Sequence, residues 1–170
     1  MSNIQFQPDQ AKLWPVTRSI VAMVASNDVG WQYEIHQEVT RIVNDRIVTN
    51  PQDWWQVKEV ADLYRRFYHH ARLKRMDDRI FHPRGLDRGT FIQRQKELAP
   101  EFIREITDAL TQFDLPSTSI LLAGNDGKVP TNGIPHLYTI EDGEVSCHDV
   151  LGFAAIGSGW WHAMSQFMFN

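Results

Sequence analysis

A change of hydrophobic period near Pro116 limits what this chain can fold into more than any other feature. Ahead of it, apolar residues return every three or four positions, the spacing of one helix face. Behind it, they come in short runs punctuated by Gly, Asn and Asp, the pattern of strands joined by tight turns. Trp31, Ile35, Val39, Ile42 and Val43 predict an amphipathic helix ending near Asn44, entered from the valine-rich strand Ile20 to Ala25 through the capping run Ser26-Asn27-Asp28. Asn50-Pro51, with Asp53 close behind, predicts the start of a second helix that carries Val57, Val60, Tyr64, Phe67 and Ala71 and runs to Arg79. His82-Pro83-Arg84-Gly85 breaks it. Thr90 with Gln93 then reads as a capping box for a third segment, which Pro100 either kinks or restarts before Ile103, Ile106, Leu110 and Phe113 continue the stripe.

In the second part, Ser119 to Ala123 has the composition of a buried strand, and Gly124 to Gly133 that of a loop. His136 to Ile140 and Glu144 to His148 flank Glu141-Asp142-Gly143, in which Asp-Gly is a strong hairpin signal. Gly152 to Ile156 is a further expected strand, closing on Gly157-Ser158-Gly159, and helical spacing returns from Trp160 through Met164, Phe167 and Met168. Helices first and strands second indicate an α+β layered fold rather than alternating β-α units. We expect a single domain over residues 1–170, helical over about 28–115 and strand-rich over about 117–158. The apolar last turn makes the chain's end look cut.

Composition narrows the function classes. The 170 residues are 42% hydrophobic and 22% charged, with mean hydropathy −0.38, net charge −4 and pI near 5.9. A generally cationic nucleic-acid or membrane binder is not built this way. The single cysteine, Cys147, cannot close an internal disulfide and leaves no Cys-rich zinc cluster, which favours a reducing, cytoplasmic compartment. No stretch has the length and apolarity of a membrane span, and the start has no signal-peptide pattern.

Three strings carry a resemblance: Ile120-Leu-Leu-Ala-Gly-Asn-Asp126, Pro135-His-Leu-Tyr-Thr-Ile140, and Asp149 with Gly152-Phe-Ala-Ala-Ile-Gly-Ser-Gly159. In this order they resemble the central strands of proteasome-type subunits of the N-terminal-nucleophile (Ntn) hydrolase superfamily. His148-Asp149, Gly152 to Gly159, and His162-Ala163 with Ser165-Gln-Phe-Met-Phe169 are similar to a bacterial group of predicted proteasome-type proteases. The sharp part covers residues 119 to 169, and a weaker helical match extends back to about residue 18. The resemblance implies a four-layer αββα sandwich, oligomeric assembly, and hydrolysis of peptide or other amide bonds by the first residue of the mature chain. There the free α-amine serves as base for the adjacent hydroxyl or thiol, backbone amides hold the oxyanion, and no cofactor is called for.

Ser158 is the one family site residue that carries across, as the serine beside the terminal nucleophile. The alternative is that Gly157 and Gly159 only let the chain turn tightly around a small residue. The residues ahead of Ile20 do not read as the hairpin that opens with the nucleophile. Ser2 would become terminal on removal of Met1, but Gln7-Pro8-Asp9-Gln10 reads as a polar turn and Lys12 stands too close to be the usual lysine. The chain by itself is therefore expected to be inactive and to self-associate, with a non-catalytic structural or assembly subunit as the rival reading.

Other constellations are bland. Cys147-His148-Asp149 has the residue types of a triad, but consecutive strand residues point to opposite faces. His69 and His70 are adjacent and diverge, and His36 and His162 lack a ligand-spaced partner, so no metal site is expected. Arg65, Arg66, Arg72, Lys74, Arg75 and Arg79 form a basic stripe interrupted by Asp62, Asp77 and Asp78, read as a solvated face or a subunit contact rather than a nucleic-acid track. One tryptophan of each pair, Trp54-Trp55 and Trp160-Trp161, is expected to be buried.

Overall fold

The computed structural model describes residues 12–51, 53–126 and 133–169. Five strands form one sheet in the order β1 (Leu13–Pro15), β2 (Ile20–Ser26), β3 (Thr118–Asp126), β4 (Ile134–Glu141) and β5 (Glu144–Cys147), with every neighbouring pair antiparallel. Helices α1 (Val29–Thr49) and α2 (Val57–Met76) lie between β2 and β3 in sequence, α3 (Arg88–Arg94) and α4 (Pro100–Thr111) follow, and α5 (Trp160–Phe169) comes after β5. The expected order of strand, helices, strands and helix is thus present. The described residues divide into two compact units, one up to residue 67 and from 117 on, the other over 68–116.

The register decides which side chains share a face. Val24 stands opposite Ile120, Ile120 opposite Ile140, and Ile140 opposite Val145. Side chains alternate along each strand, so Ile20, Ala22, Val24, Ile120, Leu122, Tyr138 and Ile140 share one face, and all seven are buried. Helices cover this face. Trp14, level with Ala22, meets Tyr33 and His36 of α1 with ring centroids at 6.2 and 4.7 Å. Trp31, Ile35, Val39 and Val43 of α1 are buried at helical spacing, as are Val57, Val60, Ala61 and Tyr64 of α2. Each of these side chains larger than alanine contributes roughly 1.5–3 kcal/mol of transfer free energy.

The two helices are neighbours, as their stripes predict. His36 Nδ1 and the Tyr64 hydroxyl are hydrogen-bonded at 2.5 Å, the Trp55 indole N–H donates to the Val43 carbonyl, and Arg46 pairs with both Asp53 and Glu59. Burial pulls the His36 imidazole below its usual pKa and pushes the Tyr64 phenol up, so both stay neutral and the bond between them satisfies two buried polar groups. Gln32 stands against this pattern: it is fully buried, and neither amide atom meets a partner among the described residues. That arrangement costs stability.

Several boundaries differ from the sequence expectation. α1 continues past Asn44 to Thr49, because nothing between them breaks a helix. Asn50-Pro51 ends α1 instead of starting α2: the Asn50 N–H donates to the Arg46 carbonyl, and the residue before a proline leaves helical geometry. Asp53 serves Arg46 rather than a helix dipole. α3 is capped by Asp87, whose carboxylate accepts the Thr90 N–H at 2.8 Å, so Thr90 lies inside the helix. Pro100 does restart the chain, at the first turn of α4. In the unit over 68–116, Ile80, Phe81, Phe91 and Ile106 form a core of their own.

The largest difference concerns Gly152 to Ile156. It forms no strand: the Leu151 and Gly152 N–H groups both donate to the His148 carbonyl, Gly152 takes φ +73°, and residues 153–156 pair with no strand among the described residues. The antiparallel sheet and its helices are therefore present, while the second sheet of the expected sandwich is not among the described residues.

Candidate functional site

The other face of the sheet carries Val21, Met23 and Ala25 from β2, Ser119, Leu121 and Ala123 from β3, Leu137, Thr139 and Glu141 from β4, and Ser146 from β5. It is apolar at one end and rich in hydroxyl groups at the other. Over the hydroxyl end lies a cleft of about 1030 Å³, floored by Ser119, Thr139 and Ser146 and walled by Ala154 to Ser158 with Trp160 and Met164. Lys12 and Glu141 supply charge of both signs at its lining.

Local sequence explains much of this floor. Asp142 (φ 49°) and Gly143 (φ 87°) both take left-handed backbone, as a type I′ turn requires, so Glu141 pairs with Glu144 and Thr139 with Ser146. Thr139 and Ser146 thus stand side by side. His148, one residue beyond β5, donates its N–H to the Leu137 carbonyl at 2.8 Å and places its Nε2 2.8 Å from Thr139 Oγ1. A hydroxyl bonded to an imidazole nitrogen is the minimal unit of nucleophile activation, but Thr139 is buried and no carboxylate orients the other nitrogen of His148 among the described residues. The pair orders the floor of the cleft.

Ser158 lines the same cleft. Gly157 takes φ +83°, and a Cβ at that position would lie 3.2 Å from the Ala25 Cβ. Conformation and close approach to the sheet both call for glycine there. The turn continues into α5, where the Trp160 N–H donates to the Gly157 carbonyl. This local geometry supports the tight-turn account for Gly157, while Gly159 has neither a positive φ nor a close neighbour, and it sets Ser158 at the cleft.

Ser2 lies outside the described residues, as does the turn expected at Gln7 to Gln10. Cys147 stands level with Tyr138 on the helix-bearing face while His148 reaches Thr139 on the other, as strand alternation predicts. His36 is tied to Tyr64, and His69, His70 and His162 are exposed. Among the described residues no group of three or more His, Cys, Asp or Glu side chains is arranged to hold a metal ion, and no helix is long and apolar enough to cross a membrane. Arg65 of the basic stripe pairs with Asp62. Trp55 is buried under Arg46, as expected of its pair, but neither Trp160 nor Trp161 is: they stack at 3.8 Å and remain 37% and 68% exposed. Phe167 of α5 stacks on Phe153, ring centroids 5.1 Å apart.

Residue type does not single out Thr139 and Ser146, and it points to His148 only within Cys147-His148-Asp149 and the His148-Asp149 string. The signal was available in the Asp142-Gly143 turn, since a two-residue hairpin fixes Thr139 opposite Ser146. No protein-family model matches the chain, and no curated protein matches it.

Proposed function

We propose that the chain is a proteasome-like domain of the Ntn-hydrolase type, whose parent hydrolyses peptide or other amide bonds, and that the chain by itself does not turn such bonds over. The carrying observation is the place of Ser158: the Gly157-Ser158-Gly159 turn, which resembles the family's serine motif, lines a cleft on the sheet face opposite α1 and α2. Helices on one face of an antiparallel sheet, with a cleft on the second face, are compatible with half of a four-layer αββα sandwich. The test is an electrophilic peptide followed by intact-mass analysis, alongside a fluorogenic amide substrate. Neither a covalent adduct nor turnover is expected. An adduct on Ser2 that disappears in Ser2→Ala would overturn the inactive assignment, and turnover lowered in Ser158→Ala would make this chain the enzyme.

A non-catalytic assembly subunit is the second reading, favoured by the exposure of Val150, Leu151, Trp161, Phe167 and Met168. Covering Trp161, Phe167 and Met168 is worth roughly 1.5–3 kcal/mol each, against association costs of about 4–15 kcal/mol, so they drive pairing only with neighbouring contacts. Sedimentation over a roughly hundred-fold concentration range is expected to show larger species at the upper end, since association follows mass action. A monomer throughout would remove this reading.

A further inference from the structure

A second cluster of titratable side chains lies on the helix-bearing face, apart from the cleft. Its centre is His136 of β4. Its Nδ1 lies against Asp149 Oδ2, and its Nε2 is 3.3 Å from Asp126 Oδ2. Each carboxylate uses its second oxygen on backbone: Asp126 Oδ1 accepts the Val57 N–H, the first of α2, at 2.7 Å, and Asp149 Oδ1 accepts the Leu137 N–H at 2.8 Å. Burial first and the nearby Cys147 thiol second push the Tyr138 phenol up to about 12. Neither imidazole is bonded to the Cys147 thiol among the described residues, since His136 meets Asp149 and His148 meets Thr139, so the cluster is not a displaced nucleophilic triad.

We propose that Asp126, His136 and Asp149 form a clamp that positions the His148 imidazole in the cleft while holding the first turn of α2. The argument runs through Leu137. Its N–H is taken by Asp149 and its carbonyl by the His148 N–H, so residues 148 and 149 are pinned to β4 although β5 ends at Cys147. Consecutive residues of an extended chain project to opposite faces. With Asp149 anchored to His136 on the helix-bearing face, His148 is turned to the other face, where Nε2 meets Thr139. A carboxylate faces each ring nitrogen of His136, so the ring is held between Asp126 and Asp149 from both sides. Asp126 and Asp149 therefore share one ring, and loss of the Asp149 bond frees the segment that carries His148. These side chains are positioning residues; none touches the cleft that His148 lines. The inference holds whatever occupies that cleft.

The test compares the unaltered chain with His136→Phe and Asp149→Asn by heteronuclear NMR at neutral pH, with thermal melts run in parallel. Ring nitrogen shifts of His148 are expected to report one fixed tautomer in the unaltered chain and an average of two in both variants, with the Leu137 amide exchanging about ten-fold faster or more. A folded variant that keeps the His148 tautomer and the Leu137 protection overturns the clamp, whatever its melting temperature. Should both variants fail to fold, the unaltered chain decides through an acid titration. The hydrogen bond to His136, then that from the Leu137 N–H, holds the Asp149 carboxyl below its ordinary value of 3.8. The clamp is thus fully present above pH 3.8 and lost as pH falls through the lower folded value. His148 ring signals should carry an inflection at the Asp149 midpoint, and their indifference to it would overturn the proposal.

Discussion

Trp31→Ala is expected to lower stability by about 3–5 kcal/mol, the usual cost of removing a fully buried large aromatic side chain. Trp31 has no solvent exposure and shares its stripe on α1 with Ile35, Val39 and Val43. The helix itself is not the casualty, because alanine is the better helix former and the Asp28 cap bonds the residue 31 amide, not its side chain. What is lost is packing between α1 and its neighbours, so the loss should appear in the denaturant midpoint with little change in slope. A domain of ordinary stability has only about 5–15 kcal/mol to lose. A cost below about 1 kcal/mol would mean that the site collapses around the cavity and that Trp31 is not central to this core.

Phe81→Ala is expected to cost a similar 3–5 kcal/mol, in a different place. Phe81 is buried with Ile80, Phe91 and Ile106, its ring centroid 5.6 Å from that of Phe91, in the unit over residues 68–116. A unit of that size buries a smaller fraction of its surface than a full domain, so one cavity removes a larger share of its core. Amide exchange read residue by residue should show α4 losing protection while the register partners of β2, β3 and β4 keep theirs. Equal loss across the sheet would show that the two units open together and would sink the expectation.

Legibility from sequence follows the range of the interaction. The stripes of α1 and α2, the Asp28 cap and the Asp142-Gly143 turn were readable because each depends on residues within a few positions of one another. The Asn50-Pro51 boundary misled because the same dipeptide suits a helix start and a helix stop, and only the donor at Asn50 separates them. Gly152 to Ile156 misled because apolar composition says that a segment is covered, not that its amides have a strand to pair with. Ser158 was legible as a turn residue, and its position at the cleft required the approach of Gly157 to Ala25 on a strand distant in sequence.

The sequence by itself determined the segregation of helices from strands, the strands at Ile20, Ser119 and His136, and the hairpin that sets Thr139 opposite Ser146, since periodicity and turn chemistry are properties of neighbouring residues. Only the tertiary structure decided that α1 and α2 cover the face bearing Ile120 and Ile140, that the first amide of α2 is satisfied by Asp126 from the far side of the chain, and that His136 rather than His148 meets Asp149. The physical reason is the same in each case. A backbone amide or a carboxylate can be satisfied by any partner that folding brings within hydrogen-bond reach, and a bond between residues 57 and 126 leaves no local trace in either segment.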